Sequence, residues 1–193
     1  MTLPKRIGWG LGLFMLLIAA AFASMVRVRF DPPVQAVNEP LASSVAGEAS
    51  LMIPVRGVRA DQLTDTWGQS RASGQREHHA IDILAPKGTP VLAAAGGTIE
   101  KIFESADGGH TIYVRTADGG TIHYYAHLDS YGVGEGQQVR QGQRIATVGD
   151  TGNAAGGAPH LHFEIKLMQP GQGWWEGTNV NPYPLLAGVG NGG

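Results

Sequence analysis

The chain has 193 residues, room for one domain of ordinary size once terminal appendages are set aside. Charged residues make up 16% and the formal net charge is −2 with no long basic run, which excludes the electrostatic footprint of a nucleic-acid-binding protein. Cysteine is absent, so a disulfide framework, a thiolate metal site and a lipidated amino terminus are excluded, and any metal must be held by His, Asp or Glu.

In chain order, Lys5 and Arg6 come first, followed by an uncharged apolar run from Ile7 to Val26. At 1.5 Å rise per residue this run spans about the 30 Å hydrocarbon core, so residues 1–29 read as one N-terminal transmembrane helix or a signal segment. Ala21-Phe22-Ala23 before Ser24 has the small-x-small form of a signal-peptidase site. The length of the run, with Arg27 and Arg29 close behind it, favours retention as an anchor, and either outcome exports the remainder. Residues 30–51 shift to Pro, Ala, Ser and Val without apolar periodicity and read as a flexible linker. The plainer alternative is a strand-bearing part of the domain. Residues 187–193 form a Gly-rich tail.

The domain is expected over residues 52–186. Glycine (29) and proline (11) are abundant without a collagen period, which favours short strands and tight turns, an all-β class. Strands are predicted at Ala80–Leu84, Pro90–Ala94, Gly97–Glu104, His110–Thr116, Gly120–His127, Arg144–Val148 and His160–Lys166. Turns fall at Asp107-Gly108-Gly109 and Asp118-Gly119-Gly120, the latter a hairpin signal. The expected architecture is a mainly antiparallel sheet with one open groove.

Seven histidines carry the chemical interest. His78 and Asp82 are four apart on a predicted strand, so both project from one face with Ala80, while Ile81 and Ile83 point into a core. His160 and His162 flank Leu161 and stand side by side, with Leu161 and Phe163 opposite. Two imidazoles and a carboxylate supply three ligands of a tetrahedral catalytic Zn²⁺, leaving a fourth position for water. A set of hydrogen-bonded strand histidines is the plainer account of the same spacing.

The sequence around these residues resembles a known family. His78-His79-Ala80-Ile81-Asp82-Ile83 with Ala85-Pro86-Lys87-Gly88-Thr89-Pro90-Val91 is similar to the first motif of the LytM/lysostaphin-type M23 zinc metallopeptidases, peptidoglycan endopeptidases. Tyr125-Ala126-His127-Leu128, the glycine-rich block Val139 to Asn153, Pro159-His160-Leu161-His162-Phe163-Glu164 and Asn181-Pro182 resemble the later blocks in the same order, over roughly residues 52–185. The resemblance implies His78, Asp82 and His162 as ligands of one Zn²⁺ per chain and His127 and His160 as paired non-ligand histidines. It also implies a zinc-activated water, His160 as base and His127 as partner of the tetrahedral intermediate or leaving amine, with these two roles exchangeable. Ala80 stands where many members have Gly. No tyrosine lies between Gly68 and His78, where some members place a hydrogen-bond donor.

The implied substrate is the stem-peptide cross-links of peptidoglycan, and the implied location is the cell inner membrane, single-pass, with the domain in the periplasm, or a secreted or periplasmic product after cleavage. Some domains of this fold are non-catalytic and activate a cell-wall amidase; here all three ligands and both companion histidines are present. A biotinyl- or lipoyl-type carrier needs a hairpin lysine, and none occurs between Lys101 and Lys166. Among the other histidines, His79 reads as structural or supporting, His123 as groove-lining or solvated, and His110 as a turn residue. Trp67, Trp174, Trp175 and Tyr183 are weighed as groove walls against core.

Overall fold

A computed structural model describes residues 51–71 and 76–188. The apolar run, nearly all of the linker and the last five residues lie outside these described residues, so the expected transmembrane helix does too. Among the described residues no helix is long and apolar enough to cross a membrane.

A short hairpin of β1 (Ser70–Arg71) and β2 (Arg76–Glu77) precedes the main sheet. That sheet has nine strands: β3 (Ile81–Leu84), β4 (Pro90–Leu92), β5 (Gly97–Ser105), β6 (Gly109–Thr116), β7 (Thr121–Tyr131), β8 (Gln138–Val139), β9 (Arg144–Val148), β10 (His160–Leu167) and β11 (Thr178–Val180). Its main path runs β11-β10-β7-β6-β5-β8, with β3 on β10, β9 on β7 and β4 on β9. Every pairing is antiparallel. All seven expected strands form, with ends displaced by a few residues; β1, β2, β8 and β11 are too short to carry a periodic signal. A single turn-and-a-half helix, α1 (Pro182–Ala187), follows β11. It is built by local chemistry: the Asn181 side chain accepts from the Tyr183 amide, proline opens the helix, and Gly188 closes it at φ 66°.

Alternation on β10 decides which way the sheet faces. Leu161, Phe163 and Ile165 are buried against Ile81, Ile83 and Tyr125 in the principal core, while His160, His162, Glu164 and Lys166 share the other face. At the far end of that second face, Tyr113, Ile122 and Met168 form a smaller cluster beneath Trp174. Two loops meet near the centre, where a Cβ on Gly152 (φ 66°) would lie 2.3 Å from the Gly109 amide nitrogen. Only glycine permits that approach, and it brings the residue 151–154 turn beside the end of β7.

His123 corrects an expectation. Opposite Ile165, it lies on the core face with Tyr125, 1% exposed and with its ring 5.7 Å from Phe163, and so is neither groove-lining nor solvated. It shares strand parity with His127 by count, but His127 has φ 58°, the one non-glycine with positive φ among the described residues, and leaves that face. Burial pushes the His123 pKa down to about 4 despite the pull of Asp118. The unfolded chain then binds more protons between pH 6.5 and 4, so stability falls as pH drops through that window and is unaffected above it. The cost at pH 4 is roughly 3 kcal/mol. His123→Phe should therefore lose less stability than the parent between pH 7 and pH 4.5 in urea titrations; parallel losses in the two proteins would refute this assignment.

Candidate metal centre

Asp82 on β3 stands directly opposite His162 on β10. His78 is not on a strand, as the spacing suggested, but in the short link between β2 and β3. It reaches the same place because the hairpin anchors it: the His78 amide donates to the Gln69 carbonyl and the Gly68 amide to the His78 carbonyl. His78 Nε2 lies 3.0 Å from Asp82 Oδ1 and 3.1 Å from His162 Nδ1, and the third side, His162 Nδ1 to Asp82 Oδ1, is 3.3 Å. Donor atoms at metal–ligand distances of 2.0–2.1 Å in a tetrahedron are about 3.3 Å apart, so this triangle fits a zinc-sized ion. Asp82 Oδ1 is also buried without a hydrogen-bond partner, as an anionic ligand atom held for a cation would be. His78, Asp82 and His162 could thus hold a metal ion.

The atoms behind this triangle orient it. His78 Nδ1 donates to the Thr66 carbonyl at 2.9 Å, and the Thr66 hydroxyl accepts from the Asp82 amide, so one residue fixes both neighbours. His162 Nε2 faces Glu164 Oε1 at 3.1 Å. These contacts commit one ring nitrogen of each imidazole and leave the lone pair of the other facing the centre. Arg71 donates to Asp82 Oδ2 at 2.5 Å. Burial opposes ionisation of Asp82, but the surrounding imidazoles hold its carboxyl well below the usual carboxylate range. Burial likewise opposes a charge on His162, yet the Asp82 and Glu164 carboxylates outweigh it and raise its pKa. Glu164 lies in the quoted motif, but its part in orienting His162 was not read from the sequence. The available signal was its position two residues on, sharing the His162 face.

His127 and His160 stand beside the triangle. Their rings are 4.9 Å apart, and His127 is 5.5 Å from His162. Each is oriented by the main chain: His127 Nδ1 donates to the Thr151 carbonyl and His160 Nδ1 to that of Ala158, both at 2.9 Å. Both Nε2 atoms are then free acceptors, and that of His160 lies 3.8 Å from Asp82 Oδ1. Burial, followed by the neighbouring His162 and His160, lowers the His127 pKa to about 4, so it is neutral at physiological pH.

All five residues line one open groove of about 790 Å³. The β1–β2 hairpin forms one wall and the Asp107-Gly108 turn with Asn153 and Ala154 the other. Of the weighed aromatics none lines this groove: Trp67 packs on His79 at 5.3 Å, Trp174 on Tyr113 at 4.7 Å, and Tyr183 on the core, while Trp175 is 64% exposed. Tyr124, which the sequence did not single out, does line it.

Comparison with known proteins agrees with this geometry. The model of peptidase family M23 matches residues 76–182, which include all five residues, and the chain belongs to that family of zinc metallopeptidases, some of whose members are non-catalytic. It is 34% identical over 148 residues to an L-Ala–D-Glu endopeptidase of Bacillus subtilis, covering 72% of this chain and 43% of that protein. It is 30% identical over 167 residues to a murein hydrolase activator of Salmonella dublin, covering 84% and 39%. Among solved structures, the catalytic domain of lysostaphin from Staphylococcus simulans superposes with a TM-score of 0.54 at 31% identity, covering 63% of this chain and 89% of that one. The chain therefore spans less than half the length of these two curated relatives.

Proposed function

We propose that the chain is a zinc-dependent endopeptidase that hydrolyses peptide cross-links of bacterial peptidoglycan. The observation that carries this is the convergence, in one groove, of a complete donor triangle with two further imidazoles whose Nε2 atoms are unspent. His78, Asp82 and His162 would hold one Zn²⁺, which when bound would supply a Lewis acid for the scissile carbonyl and the attacking water. His160 accepts the proton at Nε2, which its Nδ1 bond to the Ala158 carbonyl leaves free. His127 stands beside it, its ring 4.9 Å from that of His160. Neutral and with its Nε2 lone pair free, it shares the proton work of His160, and the proton taken from the water passes from these imidazoles to the leaving amine.

A second reading, a non-catalytic activator of a cell-wall amidase, is favoured by the activator relative that covers most of this chain. The two separate on purified sacculi. Incubation with the full chain should convert cross-linked muropeptide dimers into monomers by mass spectrometry, in proportion to bound zinc; unchanged dimers with zinc present would leave the activator reading.

We infer that residues 1–29 are an uncleaved inner-membrane anchor, from the length of the apolar run with Arg27 and Arg29 close behind it, that Lys5-Arg6 orients it, and that the linker is a tether in the periplasm. Sequencing of the mature amino terminus tests this, and a protein beginning at Ser24 would overturn it.

A further inference from the structure

The groove floor continues along β10 past the metal-facing residues. His160, His162, Glu164 and Lys166 occupy alternate positions of one face, so Lys166 lies four residues, about 13 Å, from His162 along the strand. Both oxygens of the intervening Glu164 are engaged, Oε1 with His162 at 3.1 Å and Oε2 with the Asn179 amide at 2.8 Å. Lys166 is different. Its side chain is only 14% exposed and lines the groove, with Nζ 4.0 Å from Glu164 Oε2 and 5.9 Å from the centre of the Tyr113 ring. Among the described residues no hydrogen bond reaches that ammonium, which carries three donors.

The other cations of the lining are occupied. Arg71 donates to Asp82 at 2.5 Å and Arg76 to Asp107 at 3.1 Å. The Lys166 stem is mostly covered while its ammonium opens onto the groove, so an acceptor on a bound peptide can meet donors that no described residue takes. We propose that Lys166 is a specificity-determining residue that binds a carboxylate of the substrate peptide, within about four residue lengths of the bond to be cut. This rests on the peptidase reading above and names the substrate group that the far end of the groove selects. Glu164 Oε2, which accepts from Asn179, lies 4.0 Å from Nζ, beyond hydrogen-bond distance, so the ammonium's donors remain for a substrate carboxylate.

The test compares two substrates on the full chain: muropeptide dimers with free carboxyl groups, and the same dimers with those groups converted to carboxamides. The parent should show a KM about tenfold lower for the carboxylate form at similar kcat, the scale of one well-placed ion pair. Lys166→Met should abolish that difference by raising KM for the carboxylate form, and Lys166→Arg should restore part of it. A Lys166→Met chain that keeps the preference overturns the proposal. So does an equal fall in kcat on both substrates accompanied by loss of zinc, since that would mean Lys166 acts only by steadying Glu164 and His162. If neither dimer is cut, the peptidase reading fails instead, and titration calorimetry of the two dimers decides the lysine. Preferential binding of the carboxylate form that Lys166→Met removes would support the proposal, and equal affinities would overturn it.

Discussion

His162→Ala is expected to be purified with almost no zinc and to leave cross-linked muropeptides intact. Its Nδ1 is one corner of a triangle whose other corners, His78 Nε2 and Asp82 Oδ1, lie 3.1 and 3.3 Å away, so its removal leaves two protein donors. Affinity should fall by orders of magnitude, because loss of one of three ligands removes a bond that the folded site had positioned in advance. The damage extends further. Glu164 Oε1 loses its imidazole partner, and a buried acceptor left unsatisfied costs about 1–3 kcal/mol, so the variant should also melt earlier than the parent. Elemental analysis and a thermal melt check both parts. A His162→Ala chain holding one zinc per molecule would show that the ligand set is wrong.

His127→Ala should behave in the opposite way, keeping its zinc while kcat falls by about 10²–10³-fold or more. Nothing in the donor triangle touches His127 Nδ1, which is engaged with the Thr151 carbonyl, and its ring stands 5.5 Å from that of His162. Its backbone is at φ 58°, a conformation that alanine tolerates poorly, so His127→Asn is the better-folded companion variant. Both should be metal-replete and inactive on sacculi. Loss of zinc from the asparagine variant would make His127 a ligand, and full activity would end its role in proton transfer.

How far the sequence reached can be followed strand by strand. On β10 a strict alternation of polar and apolar side chains made both faces legible, because burial on one side enforces the two-residue period. On β7 the same rule misled at His123, since a register shift against β6 between Tyr125 and Leu128 and a left-handed residue at His127 break the period and nothing in the side-chain pattern announces either. His78 shares a centre with Asp82 although it is off the strand, because backbone hydrogen bonds to Gln69 and Gly68 fold the preceding link back. Such pairing leaves no periodic trace. Asn181-Pro182 was read only as the last block of the family resemblance, and the helix it opens is too short for an amphipathic pattern.

The way the imidazoles are held also shapes how the site would respond to random mutation. His78, His127 and His160 each give a ring hydrogen to a main-chain carbonyl, of Thr66, Thr151 and Ala158. A carbonyl oxygen persists whatever side chain that residue carries, so substitutions at these three positions leave the tautomers of the neighbouring rings in place unless they displace the loop. His162 alone depends on a side chain, that of Glu164, and that acid is in turn braced by Asn179. Among the supports of the imidazoles, dependence on side-chain identity is therefore concentrated on one short row of the sheet, whereas the loops that hold the other three rings are constrained by their backbone path.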